Sequence, residues 1–199
     1  TFIDANNTSA ILGNTFFSSG LLSITLGSAG VAANDPGDAD TGVNNGQNYP
    51  VLTKVLTSGT AVEISGTLNS SASSYYRIEF FSSASADSTG YGEGQTYLGA
   101  MNFATNSSGT ATYRATFAAS VASGATLSAT ATKSNNTFTT FTDTSEFAAN
   151  TTASLVPQTV LASSSLRGTL GLDSLVSSTP LTTRTGAGVT VAVIDSGML

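Results

Sequence analysis

Asp35, Asp38 and Asp40 crowd six residues of the run NDPGDADTGVNNGQNYP at 34–50, with Asn34 and Asn44 close by and no Lys or Arg before Lys54. Carboxylates this close repel unless they are solvated or share a cation, and oxygen ligands on a turn-rich loop are what Ca2+ coordination requires. Asp35, Asp38, Asp40 and Asn44 are therefore the candidate metal ligands, and Ca2+ the candidate cofactor. Their spacing is not that of an EF-hand, whose loop ends in a bidentate Glu. A second reading of the same residues stays open: a solvated turn in which Asp and Asn side chains hold their own backbone. Two further carboxylates, Glu79 and Glu93, would form a glycosidase pair only if a cleft with carbohydrate-stacking aromatics surrounded them, and nothing else in the sequence demands one. They are as well placed to pair with Arg77 or Arg114, and exposed ion pairs of that kind contribute only ~0–1 kcal/mol.

The chain has neither His nor Cys. Disulfides, thiol chemistry, thiolate zinc sites and imidazole acid/base catalysis are thereby excluded within it. Twelve acidic residues against six basic ones give a net charge of −6 and no basic patch, which argues against nucleic acid and against anionic membrane surfaces. The most apolar early stretch, 21–33, is broken by Ser23, Thr25, Gly27 and Ser28 and is too short to insert in a membrane. No basic segment followed by an apolar one opens the sequence, so a signal peptide is expected to be already removed or to lie upstream. Leu, Ile, Val and Phe make up 45 of 199 residues, so the core is expected to be thin outside the regular elements.

Those elements read as strands. Between 60 and 147, apolar residues recur with a period of two: Val62, Ile64 and Leu68; Tyr76, Ile78 and Phe80; Tyr113, Ala115 and Phe117; Leu127, Ala129 and Ala131. The first strand is expected near 61–69, with others at 75–83, 97–105, 111–118 and 126–132. Gly90, Gly92 and Gly94 mark a loop that needs positive φ or a close backbone approach. Four alternating segments with no long helical pattern between them predict an antiparallel β-sandwich. Residues 1–33, with Asn and Gly punctuating short apolar groups, read equally as β-helix-like rungs, which would have to dock on something, or as strands joining the sandwich. Phe138, Phe141 and Phe147 carry a β-prone, nearly uncharged stretch rich in Thr, which reads either as packed into the sandwich edge or as an open edge offering unpaired backbone to another chain.

The segments GDADTG, NYPVLT, GTLN, YRIEFF, GYGEGQTYLG, LSATAT and TSEF occur in that order over residues 10–148. Together they resemble the immunoglobulin-like module found at the end of β-helix regions in large bacterial surface and secreted proteins. The hairpin at 133–142 is larger than such modules usually carry. The closing run GAGVTVAVIDSGML resembles the first core strand of a subtilisin-like serine peptidase over residues 170–199, in which Asp195 would orient the catalytic imidazole. No His partner and no Ser nucleophile region accompanies it, so Asp195 alone cuts nothing.

The expected organisation is therefore β-helix-like or accessory strands with the acidic loop at 1–50, an immunoglobulin-like sandwich at 51–148, a linker at 149–185 and one additional strand at 186–199, either disordered or paired with a neighbouring chain. The resemblance implies a non-catalytic structural or adhesive module outside a bacterial cell or on its surface. Protein partners or self-association through exposed strand edges are expected, extending to filaments. The alternative is the accessory N-terminal part of a subtilisin-like peptidase, inactive as this chain.

Overall fold

The computed structural model describes residues 8–27 and 30–156, and these are nearly all β. The strands are β1 (Val51–Thr57), β2 (Val62–Asn69), β3 (Tyr75–Ser83), β4 (Thr96–Ala104), β5 (Thr110–Phe117), β6 (Thr126–Ser134), β7 (Phe141–Thr144), β8 (Thr151–Thr152) and β9 (Ser154–Leu155). They form two sheets, ordered β5-β2-β1-β9 and β4-β3-β6-β7, with β8 also paired to β6. Every pairing is antiparallel except β1 with β9. The expected all-β sandwich is the observed architecture.

The period of two explains the packing. In β2, Val62, Ile64 and Leu68 point inward and are fully buried, as are Tyr76, Ile78 and Phe80 of β3 and Leu127, Ala129 and Ala131 of β6. These residues meet Val55, Tyr113 and Ala115 in one core between the sheets. The gap in the β2 pattern is Gly66, where a Cβ would collide with the Tyr113 hydroxyl and the Val51 carbonyl. Glycine there lets the tyrosine ring of β5 lie across the strand.

The opposite face of the second sheet is covered too. Ser128, Thr130 and Thr132 of β6 and Glu79 and Phe81 of β3 are all buried, although they alternate with the core residues. A second cluster of Ile24, Val43, Phe81 and Phe147, joined by Ile11, Phe16 and Leu26, lies on this outer face. The N-terminal segment therefore crosses the sheet as a strap, and its apolar residues are the anchors.

Three expectations change. The strap forms none of the regular strands, because its backbone bonds go mainly to side chains, as described below. The first strand is β1, not the segment near 61–69: the run VLTKVLT has an irregular burial pattern and a register slip between Leu52 and Lys54, which hide its alternation. The chain also stays in the sheets beyond residue 148. Thr151 and Thr152 pair with β6, Ser154 and Leu155 pair with β1, and the Ala153 N–H between them bonds the Ala125 carbonyl at 2.8 Å, so a segment expected as linker crosses from one sheet to the other. The enlarged hairpin is a compact turn: Asn135 Oδ1 accepts the Thr139 and Thr140 N–H groups, and Phe138 packs edge-on against Tyr75 at 5.8 Å. The strand expected at 186–199, with Asp195, lies outside the described residues.

Candidate functional site

The acidic loop follows the strap and leads into β1. Its proline and glycine keep it out of the sheets, and side chains replace the missing ladder. Asn34 and Tyr49 exchange two bonds, the Asn34 amide donating to the Tyr49 carbonyl at 2.8 Å and accepting its N–H at 2.9 Å. Asn48 does the same for Asp35, accepting its N–H at 3.0 Å and donating to its carbonyl at 2.7 Å. Asp35 Oδ2 accepts the Ala39 N–H at 2.9 Å, and Asp38 Oδ1 accepts the Asn48 N–H at 2.8 Å. Asp38 Oδ2 accepts a hydrogen bond from the Ser70 hydroxyl, which also meets the Tyr76 hydroxyl at 2.8 Å. Bonds from Asp and Asn side chains to their own loop are what the turn reading of these residues expects.

Asp35, Asp38 and Asp40 do converge, each offering a carboxylate oxygen within 4.8 Å of the others. The charges feel one another. Burial raises the Asp38 pKa above the ordinary carboxylate value, opposed by its bonds to Ser70 and Asn48 and reinforced by Asp40. Desolvation and the charge of Asp35 raise that of Asp40. Asp35 Oδ1 is buried and has no hydrogen-bond partner.

Asn44, the fourth candidate ligand, is engaged in side-chain bonds of its own. It lies in the short 3-10 turn Val43–Gly46, at a φ of 47° that Asn tolerates better than most residues, and it is 1% exposed. Its Oδ1 accepts the Ser9 N–H at 2.7 Å, and its amide donates to the carbonyls of Ser9 at 2.9 Å and Thr144 at 2.8 Å. These side-chain bonds tie the turn to the strap and to β7.

Glu79, Glu93 and the Glu146 of TSEF have a role that sequence reasoning missed: each carboxylate grips the strap backbone. Glu79 Oε2 accepts the Gly13 N–H at 2.7 Å, while its Oε1 pairs with Arg77 at 2.9 Å. Glu93 accepts the N–H groups of Ser18 at 2.7 Å and Ser19 at 2.6 Å. Glu146 accepts those of Leu26 at 2.9 Å and Ala32 at 2.7 Å. Burial raises the Glu146 pKa above its ordinary value, and the two backbone bonds oppose the shift. Thr144 Oγ1 takes the Ile11 N–H at 2.8 Å. Between these clamps Phe147 packs edge-on against Phe16 at 5.8 Å and Phe81 at 5.3 Å. Gly94 makes room for it, since a Cβ there would stand 2.8 Å from the Phe147 ring, and Gly90 and Gly92 take the positive φ expected of them. Arg114 pairs with Glu63 across β5 and β2.

The remaining candidate surface is the edge of the sandwich. Where the strap and residues 149–156 run, the flanking strands β7, β8 and β9 are at most four residues long. On the other side β4 has nine residues and β5 eight, and no described segment pairs with the outer side of either. Thr96, Tyr97, Asn102 and Ala104 of β4 are exposed, and the strand carries no charge.

The fold and this bracing define an all-β sandwich with a side-chain-clamped strap. No family model matches the chain, and no curated protein is significantly similar to it. No helix among the described residues is long and apolar enough to cross a membrane.

Proposed function

We propose that the chain is a non-catalytic structural or adhesive module of an extracellular or cell-surface protein, which associates through an exposed strand edge. The observation that carries this reading is the contrast between the two sides of the sandwich: one is closed by short strands and crossing chain, the other presents β4 uncharged over nine residues. An open, uncharged edge is a template for pairing with another chain. The carboxylates Glu79, Glu93 and Glu146 support the non-catalytic part, because each is engaged with strap backbone. The seven longer strands, divided three and four between the sheets, suit the immunoglobulin-like type that the sequence resembles. Sedimentation of the whole chain over a wide concentration range tests the reading. Reversible association is expected, and a monomer at every concentration overturns it.

Calcium binding by Asp35, Asp38 and Asp40 is a second proposal, favoured by the buried, unpartnered Asp35 Oδ1 facing two other carboxylates. Excess Ca2+ is then expected to raise the melting temperature and a chelator to lower it, by about 2–3 kcal/mol of stability at a hundredfold excess over Kd. Identical melting curves with and without chelator remove the proposal. The alternative role, an accessory part of a subtilisin-like peptidase, rests on the VAVIDSG run around Asp195. It requires the encoding reading frame to continue into a His-containing motif and a catalytic Ser region.

A further inference from the structure

We infer that β4 pairs antiparallel with β4 of a second copy, with Asn102 on the two-fold axis, so that the sheets β4-β3-β6-β7 of two molecules run into one another. The inference rests on the self-association proposed above and specifies its partner, strand and register.

The choice of strand follows from which edges are open. β9 has two residues, and β7 has four, with the strap at its end, where the Thr144 N–H bonds the Ser9 carbonyl at 3.1 Å. β5 lies beside β4 on the open side but carries Arg114, exposed and paired with Glu63 of β2. β4 carries no Lys, Pro or inward charge, and the one edge-blunting device it has, a bulge at Leu98, lies before residues 100–104.

The register follows from the pleat. Met101 and Phe103 pair with Ile78 and Tyr76 of β3 and pack against the core, which puts Ala100, Asn102 and Ala104 on the outer face. Residues directly opposite one another in a sheet share a face, so a self-pairing that keeps both cores inside is centred on a residue, not between two. The pairing with β3 slips between Phe80 and Phe81, where Leu98 is skipped, and Gly99 sits at φ 147°. This bulge leaves residues 100–104 as the regular part of the strand. Their centre is Asn102, which sets Met101 opposite Phe103 of the second copy and Ala100 opposite its Ala104. The outer-face residues brought together are small or uncharged. Further apolar surface stands near the start of the strand. Phe17 and Leu21 are 64% and 74% exposed, and the strap holding them is fixed to Gly94 and Glu93 by the N–H groups of Phe16 and Ser18. Because, among the described residues, only this side of the sandwich is open, pairing through it is isologous and ends at two copies.

The absence of Cys from the chain makes one introduced cysteine an unambiguous probe. Asn102→Cys is expected to form a disulfide-linked dimer under mild oxidation at concentrations where the wild-type chain sediments as a dimer. Thr53→Cys, on an exposed position of β1, is expected to remain uncrosslinked. Asn102→Lys, whose fold is checked by circular dichroism, sets two like charges at the axis and is expected to weaken dimerisation about tenfold or more. If the chain associates but Asn102→Cys crosslinks no faster than Thr53→Cys, or Asn102→Lys leaves the association unchanged, the β4 register is wrong while self-association stands. If the wild-type chain is monomeric throughout, both readings fall.

Discussion

Replacing Glu146 by Ala tests the idea that carboxylates hold the strap. The side chain is 1% exposed and accepts the N–H groups of Leu26 and Ala32 at 2.9 and 2.7 Å. Without it both donors lose their acceptor, at about 1–3 kcal/mol for each buried group. Leu26 and Ala32 are themselves only half-buried, so water can reach part of the gap and the lower end applies, giving about 2–3 kcal/mol in all. The loss should be local. The core between the sheets contains no strap residue, so the strap can open while β2, β3 and β6 stay paired. Hydrogen exchange read by mass spectrometry is the suitable assay, with peptides from the strap expected to lose about 30- to 150-fold in protection and peptides from β2 and β3 to change little. Glu146→Gln keeps one acceptor oxygen and should fall between wild type and Glu146→Ala. Unchanged protection of the strap in Glu146→Ala, or a loss spread evenly over the sheets, would refute the argument.

The pH dependence has a definite sign. Asp38, Asp40 and Glu146 all have folded pKa values above the ordinary range, so between the unfolded and folded values the native chain binds more protons than the unfolded one. Their contribution makes the chain most stable below the unfolded pKa, and that advantage is lost as pH rises through the folded values, so the melting temperature should fall as the pH rises from about 4, the ordinary carboxylate value, towards neutrality. The reverse order would show that the strap and loop carboxylates do not dominate. Tyr113→Phe removes a buried hydroxyl that has no partner and should leave stability unchanged or raise it by about 1 kcal/mol in urea unfolding. Gly66→Ala, at the point where that tyrosine crosses β2, should cost about 3 kcal/mol or more, since the Val51 carbonyl cannot move without disturbing the β1–β2 ladder. Phe147→Ala should cost about 3–5 kcal/mol in thermal unfolding through the cavity left between Phe16 and Phe81.

The strands with clean alternation were legible before any coordinates. The segment expected at 75–83 is β3, and those expected near 61–69, 97–105, 111–118 and 126–132 match β2, β4, β5 and β6 within a few residues. Local pattern carries that information because each of these strands has one face in the core. β1 was hidden by its register slip, and β8 and β9 are too short to show a period. The strap was illegible for a different reason. Its apolar anchors Ile11, Phe16, Ile24 and Leu26 stand out in the sequence, but the groups that accept its N–H bonds, Glu79, Glu93, Thr144 and Glu146, lie 66 to 133 residues away, and nothing local to either partner announces the other. In the acidic loop the convergence of Asp35, Asp38 and Asp40 was legible from spacing alone. The diversion of Asn44 was not, because its amide answers to Ser9 and Thr144.

Anchoring an irregular segment by separate carboxylates also shapes how the molecule would respond to tension. A force applied at the front of the strap meets Asn44 at Ser9 and then Thr144, Glu79, Glu93 and Glu146 one after another up to residue 32, and each carboxylate grip holds only one or two amides. Extension would therefore proceed in small steps that lengthen the chain before the long interstrand ladders are loaded, giving the module a compliant segment beside a stiff body.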